Sequence, residues 1–231
     1  MRFYPFLLLL AVSCATVQVQ KPVPVSEIHE ISTMSEIEKW IIPDTLLLFD
    51  LDNTIFESTD IISHANWYND MSKKYPNKIT EILKRNWAAT QKSDVKLIEK
   101  STPELIKKLQ DQGVRIMAFT SRNMVLLDAT LRQIKSVGID FSRTSPYEDS
   151  IHFHDGILFA DNGYPKGEAL RAYLKDIDFN PKRIILVDDL KKNLESVCKA
   201  TRAIGLYYPL VDKKRPQEWD EKEAERRWLS E

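Results

Sequence analysis

Apolar residues fall in short blocks in four places: residues 45–49, 114–119, 183–187 and 203–207, each running into polar residues at its end. Blocks of this length are what strands buried on both faces of a parallel sheet look like in sequence. Between them the apolar positions recur at helical spacing. Residues 103–112 end at Gly113 and residues 123–137 at Gly138, where a residue without Cβ closes a helix in the left-handed conformation most easily. Strands alternating with helices predict an α/β fold, a three-layer, doubly wound, Rossmann-like parallel sheet with helices on both faces.

Two stretches break the alternation. Residues 56–100 keep helical spacing, interrupted around Pro76, and predict a small all-helical cap inserted after the first strand. Residues 151–161 hold Asp155-Gly156 between two alternating runs, which predicts a hairpin with a tight primed turn. Ahead of the first strand, Thr33 and Glu36 have the spacing of a capping box, so a short helix is expected to about Ile41, stopped by Pro43. At the other end, residues 216–229, with Trp219 and Trp228, predict a helix docked on the domain.

The first fifteen residues differ in kind. Arg2 precedes an apolar run over residues 3–12, followed by Ser13, Cys14 and Ala15, the layout of a secretory signal peptide. The run is shorter than the roughly 20 residues a spanning helix needs. Cys14 after a small residue is similar to a bacterial lipoprotein signal, although Ala11 stands where Leu is usual. Lipidation of Cys14 and cleavage after Ala15 both remain open. Residues 16–26, with Pro22 and Pro24, read as an extended tether, and residues 27–231 as the folded domain. The expected location is exported, in the periplasm or attached to the outer membrane as a lipoprotein.

Composition adds limits. Of 231 residues, 43% are hydrophobic and 29% charged, with a formal net charge of −1, which is globular and gives no electrostatic case for nucleic acid. The basic run at Lys213, Lys214 and Arg215 is flanked by Asp212, Glu218, Asp220 and Glu221 and reads as a solvated helix approach. Apart from Cys14, the chain has one cysteine, Cys198, expected to be a small buried residue on a helix.

Ligands in doubly wound sheets bind beyond the carboxyl ends of the strands. The first strand ends in Asp50, Leu51, Asp52, Asn53 and Thr54; the second in Thr120, Ser121 and Arg122; the third in Asp188 and Asp189; and Lys166 opens the helix before the third. Cleaving a phosphate ester needs an attacking oxygen, neutralisation of the phosphoryl charge and a proton for the leaving alcohol. Residues 50 and 52 can share one face, so one carboxylate can attack and the other move the proton. Asp50, Asp188 and Asp189 together call for a cation, and an all-oxygen set favours Mg2+. Thr120 offers a hydroxyl and Lys166 a charge to hold a phosphoryl group, with Lys175 and Lys182 as nearby alternatives.

With FDLDNT at Phe49 to Thr54, Thr120, Lys166 and the pair Asp188 and Asp189 in this order, the chain resembles the haloacid dehalogenase superfamily over roughly residues 45–208. That resemblance implies a phospho-aspartate on Asp50, proton transfer by Asp52, and Mg2+ held by the Asp50 carboxylate, the Asp52 carbonyl and Asp188. Asp189 stands either as a further ligand or as an orienter of Asp188. The acid at position 52 favours phosphohydrolase over dehalogenase chemistry. The exported setting and the run over residues 187–193 are similar to an uncharacterised bacterial group known only as a domain of unknown function, and more loosely to secreted acid phosphatases.

The expected substrate is a small phosphorylated molecule, and membrane contact is expected only through lipidation of Cys14. Ser121 and Arg122 are candidates to touch substrate, with a surface arginine as the alternative. His152 and His154 fit an ordinary hairpin better than zinc ligation. Trp67, Tyr68 and Trp87 fit packing inside the insertion better than pocket lining. Two rival functions stand beside hydrolysis: phosphotransfer to another alcohol, and non-catalytic binding of phosphate or metal.

Overall fold

Leu46, Leu47, Leu48 and Phe49 are all fully buried, as a strand covered on both faces requires. The computed structural model of the protein describes residues 27–146, 151–161 and 163–230. The expected signal segment and tether lie outside the described residues.

In chain order the elements are β1 (Ile28–Glu30), a 3-10 helix (Met34–Trp40), β2 (Thr45–Phe49), β3 (Phe56–Ser58), α1 (Ala65–Lys74), a 3-10 turn (Pro76–Lys78), α2 (Ile79–Thr90) and β4 (Val95–Leu97). There follow α3 (Thr102–Asp111), β5 (Arg115–Thr120), a 3-10 turn (Met124–Leu126), α4 (Leu127–Ser136), β6 (Phe153–His154), β7 (Ile157–Phe159) and α5 (Lys166–Asp176). The chain closes with β8 (Arg183–Asp188), α6 (Lys191–Thr201), β9 (Ile204–Tyr207), α7 (Leu210–Glu218) and α8 (Glu221–Ser230).

The main sheet runs β1-β9-β8-β2-β5-β7-β6, parallel throughout except for the β6–β7 hairpin. Alternation along the strands splits the core in two. Leu47, Phe49, Ile116, Ala118, Ile185 and Val187 face a layer that includes Leu109 of α3 and Ile134 of α4. Leu46, Leu48, Met117, Phe119 and Leu186 face Leu170 of α5 and Leu194 and Val197 of α6. The three-layered, doubly wound fold follows from that period of two.

Several expectations change. β1 has no counterpart in the apolar pattern; it is three residues long and pairs in parallel with β9. The helix before β2 is a 3-10 helix, with the Glu36 carboxylate accepting from the Ser32 and Thr33 N–H groups at 2.8 and 3.3 Å. The insertion is not all-helical: α1 and α2 rise from a neck in which β3 and β4 pair antiparallel. The predicted hairpin forms, with φ of +46° at Asp155 and +77° at Gly156, and its second strand extends the main sheet beside β5.

The C-terminal segment is two helices, and Pro216 lies inside the first. It docks chiefly on the insertion. Ala224 and Trp228 pack with Ile62, Trp67, Met71 and Ile82, and Trp67 Nε1 donates to the Ala224 carbonyl at 3.0 Å. Arg215, expected in a solvated run, instead meets both oxygens of Asp70 at 2.6 Å. Cys198 is buried on α6 as expected, and burial pushes its thiol up to about 11.

Candidate active site

β2 and β8 pair with Phe49 opposite Val187, so the next residues, Asp50 just past β2 and Asp188 at the end of β8, stand side by side. The Asp50 N–H still donates to the Val187 carbonyl at 2.9 Å. From this neighbouring pair the chain departs in opposite directions, β2 leading towards β5 and β8 towards β9. That divergence opens the crevice where such sheets hold ligands.

Lys166 enters from the first turn of α5. Its placement depends on Gly167, where a Cβ would sit 2.1 Å from the Ser196 carbonyl oxygen, so only glycine lets α5 approach α6 this closely. Lys166 Nζ donates to Asp50 Oδ1 at 2.6 Å, to Asp188 Oδ2 at 2.8 Å and to the Phe119 carbonyl at 2.8 Å. All three donors of the ammonium are thereby used. It neutralises the acids directly, where the sequence suggested a free charge for a phosphoryl group.

Asp188 is fully buried and accepts further bonds from the Leu190 N–H at 2.8 Å and from Asn193 Nδ2 at 3.0 and 3.1 Å. Thr54 Oγ1 accepts from the Asp189 N–H at 3.1 Å, tying the loop after β2 to the end of β8.

Burial raises the Asp50 carboxyl to about 7; Lys166 opposes that rise, while the negative charges of Asp188 and Asp52 add to it. Burial, then the charges of Asp188 and Asp50, likewise hold Asp189 well above the usual carboxylate range. Burial works against the charge on Lys166, but Asp188 and Asp50 together outweigh it and keep the ammonium firmly protonated.

Asp50, Asp188 and Asp189 each present an oxygen within 4.8 Å of the others. Three buried carboxylates against one lysine form a hard, all-oxygen donor set, and this chemistry fits a magnesium-like divalent cation.

Asp52 points into the same cleft, which has a volume of about 490 Å³ and also takes in Thr120, Ser121 and Lys166. Asn53 adopts φ +60°, a left-handed turn that asparagine tolerates and that carries the chain from Asp52 into the neck of the insertion. Thr120 is buried and its hydroxyl oxygen accepts from the Arg122 N–H at 3.1 Å. Its own O–H has no partner among the described residues, so it is available to an anion in the cleft.

The candidate site residues therefore gather at one crevice, but some differ in character from the expectation. Arg122 is buried and grips Asp52, with Nε to Oδ2 at 2.8 Å and a terminal nitrogen to Oδ1 at 2.7 Å. Tyr68 and Trp87 line the cleft, whereas Trp67 packs inside the insertion. Sequence reasoning missed Asn193 as a partner of Asp188 and Gln133 as a partner of Arg122. Asn193 had a signal, being one helical turn past the acidic pair; Gln133 looked like any polar residue on a helix.

A family model described as "Protein of unknown function (DUF2608)" matches residues 25–229. The chain is 27% identical over 208 residues to a Chlamydia trachomatis protein named "Putative outer membrane protein", covering 82% of this chain and 77% of that one. A Chlamydia muridarum protein of the same name is 27% identical over 211 residues, with 85% and 78% covered. Among solved structures, a HAD-superfamily hydrolase of subfamily IA from Geobacter sulfurreducens superposes with a TM-score of 0.46 at 13% identity, over 71% of this chain and 89% of that one.

Proposed function

The chain belongs to the DUF2608 family of proteins of unknown function, and we propose that it hydrolyses small phosphate monoesters, with magnesium, through a phospho-aspartate on Asp50. The observation that carries this reading is Asp50, bridged by Lys166 to the buried Asp188, opening onto the same cleft as Asp52 and Thr120.

Asp50, Asp188 and Asp189, with the Asp52 carbonyl, would hold the cation, which when bound neutralises phosphoryl oxygens. The Asp50 carboxylate attacks phosphorus, the bond from phosphorus to the ester oxygen breaks, and Asp52 gives that oxygen its proton. Asp52 then takes a proton from water as the water oxygen attacks phosphorus, and the bond from phosphorus to Asp50 breaks. The Thr120 hydroxyl donates to a phosphoryl oxygen, and Lys166 holds Asp50 in line.

We place the protein outside the cytoplasm, supported by the N-terminal apolar run and by the names of its Chlamydia relatives. Among the described residues no helix is long and apolar enough to cross a membrane. The test is phosphate release from p-nitrophenyl phosphate by the wild type and by Asp50→Asn, with magnesium and with chelator. The proposal requires activity only in the wild type with magnesium; an Asp50→Asn variant as active as the wild type overturns it.

A further inference from the structure

Arg122 is only 8% exposed, an unusual setting for a guanidinium. Its partners account for the burial. Besides the two bonds to Asp52, one terminal nitrogen donates to Thr130 Oγ1 at 3.0 Å and to Gln133 Oε1 at 2.7 Å. Four of its five N–H donors are thus used inside the protein, too many for a residue that recognises a phosphate with a free two-pronged fork. The guanidinium carbon also lies 5.4 Å from the Phe56 ring centre, within range of a cation–π contact.

These partners link Arg122 to both ends of the insertion. Asp52 and Phe56 lie where the chain enters it. Gln133 Nε2 donates to the Ser93 carbonyl at 3.1 Å and more weakly to the Thr90 carbonyl at 3.4 Å, where the chain returns. Gln133 and Thr130 are fully buried, so their bonds to Arg122 face no competition from water. A carboxylate has about four lone-pair sites; the fork from Arg122 takes two and leaves the others on Asp52 for an oxygen in the cleft.

We propose that Arg122 is a positioning residue that fixes the Asp52 carboxylate for proton transfer, and that Gln133 ties its setting to the returning end of the insertion. This rests on the phosphatase reading. Arg122 acts through Asp52 and makes no contact with the phosphoryl group.

The test compares an aryl ester with a good leaving group, p-nitrophenyl phosphate, and an alkyl ester with a poor one, glycerol phosphate. Only the second depends strongly on a well-placed proton donor, an effect of about 10²–10⁴-fold. For Arg122→Lys, kcat on the alkyl ester is expected to fall about 100-fold and on the aryl ester far less, with KM for both unchanged. Gln133→Glu keeps the acceptor for Arg122 and loses the bonds to Ser93 and Thr90, so it should lower the alkyl ester's kcat in the same selective way, by less. It also carries the test if Arg122→Lys does not fold. Equal losses on both esters, or a raised KM with kcat intact, overturn the positioning role while leaving the phosphatase reading in place. A wild type that releases phosphate from neither ester overturns both.

Discussion

Lys166 Nζ lies 2.6 Å from Asp50 Oδ1 across 116 positions of sequence, with both side chains almost completely shielded from solvent. The same ammonium reaches Asp188, so one cation joins the ends of β2 and β8. Replacing it by a neutral group of similar length leaves two buried carboxylates facing each other. Lys166→Met should lower stability by about 3–5 kcal/mol, measured by urea unfolding in chelator. A loss below about 1 kcal/mol would mean that the pair is not desolvated as described.

Gly167 sets where that lysine stands. A methyl group there meets the backbone of α6, which cannot rotate away as a side chain could. Gly167→Ala should cost about 1–3 kcal/mol and lower kcat as Lys166 is displaced from Asp50. Wild-type stability together with wild-type kcat would show that α5 and α6 are not in close contact.

The C-terminal helix should govern the firmness of the insertion. Trp228 packs with Trp67 at 6.1 Å between ring centres and with Tyr75 at 5.5 Å, and its carbonyl accepts from Arg85 at 2.8 Å. Trp228→Ala should cost about 3–5 kcal/mol and speed amide hydrogen exchange in α1 and α2 more than in β2 or β8. Faster exchange spread evenly over the sheet would contradict this docking.

Acid should loosen the neck of the insertion. Glu57 of β3 accepts from His64 Nε2 at 3.2 Å and pairs with Lys96 of β4 at 2.9 Å. The His64 bond leads in drawing its carboxyl down to about 2 from 4.5, with Lys96 adding and burial opposing. Because the folded value lies below the unfolded one, the stabilisation is full above about pH 4.5 and is lost as pH falls towards 2. Unfolding free energy measured across that window should fall with pH in the wild type and be flatter in Glu57→Gln. Parallel curves would remove Glu57 from the acid limb.

The sheet and the cluster of candidate acids were legible because β2, β5 and β8 are apolar runs that stop at polar residues, and a strand buried on both faces advertises itself in this way. β1, β3 and β4 were not, since three residues show no period and their partners are distant in sequence. The apolar side of the C-terminal segment was visible in Trp219, which caps α7, and in Trp228 of α8, but nothing local says that it covers α1. Arg122 was ambiguous for the same reason: its meaning comes from Asp52, 70 positions earlier, and from a glutamine two turns along the next helix.

The central claim is a covalent phosphoryl group on Asp50. The direct measurement is to mix the protein with magnesium and phosphate ester, quench rapidly in denaturant, reduce with borohydride and map the products by mass spectrometry. An acyl phosphate on Asp50 is reduced to an alcohol, so homoserine should appear at position 50 only when ester and magnesium are both present. Steady phosphate release with position 50 unmodified, or reduction at Asp52 or Asp188 instead, would contradict the account.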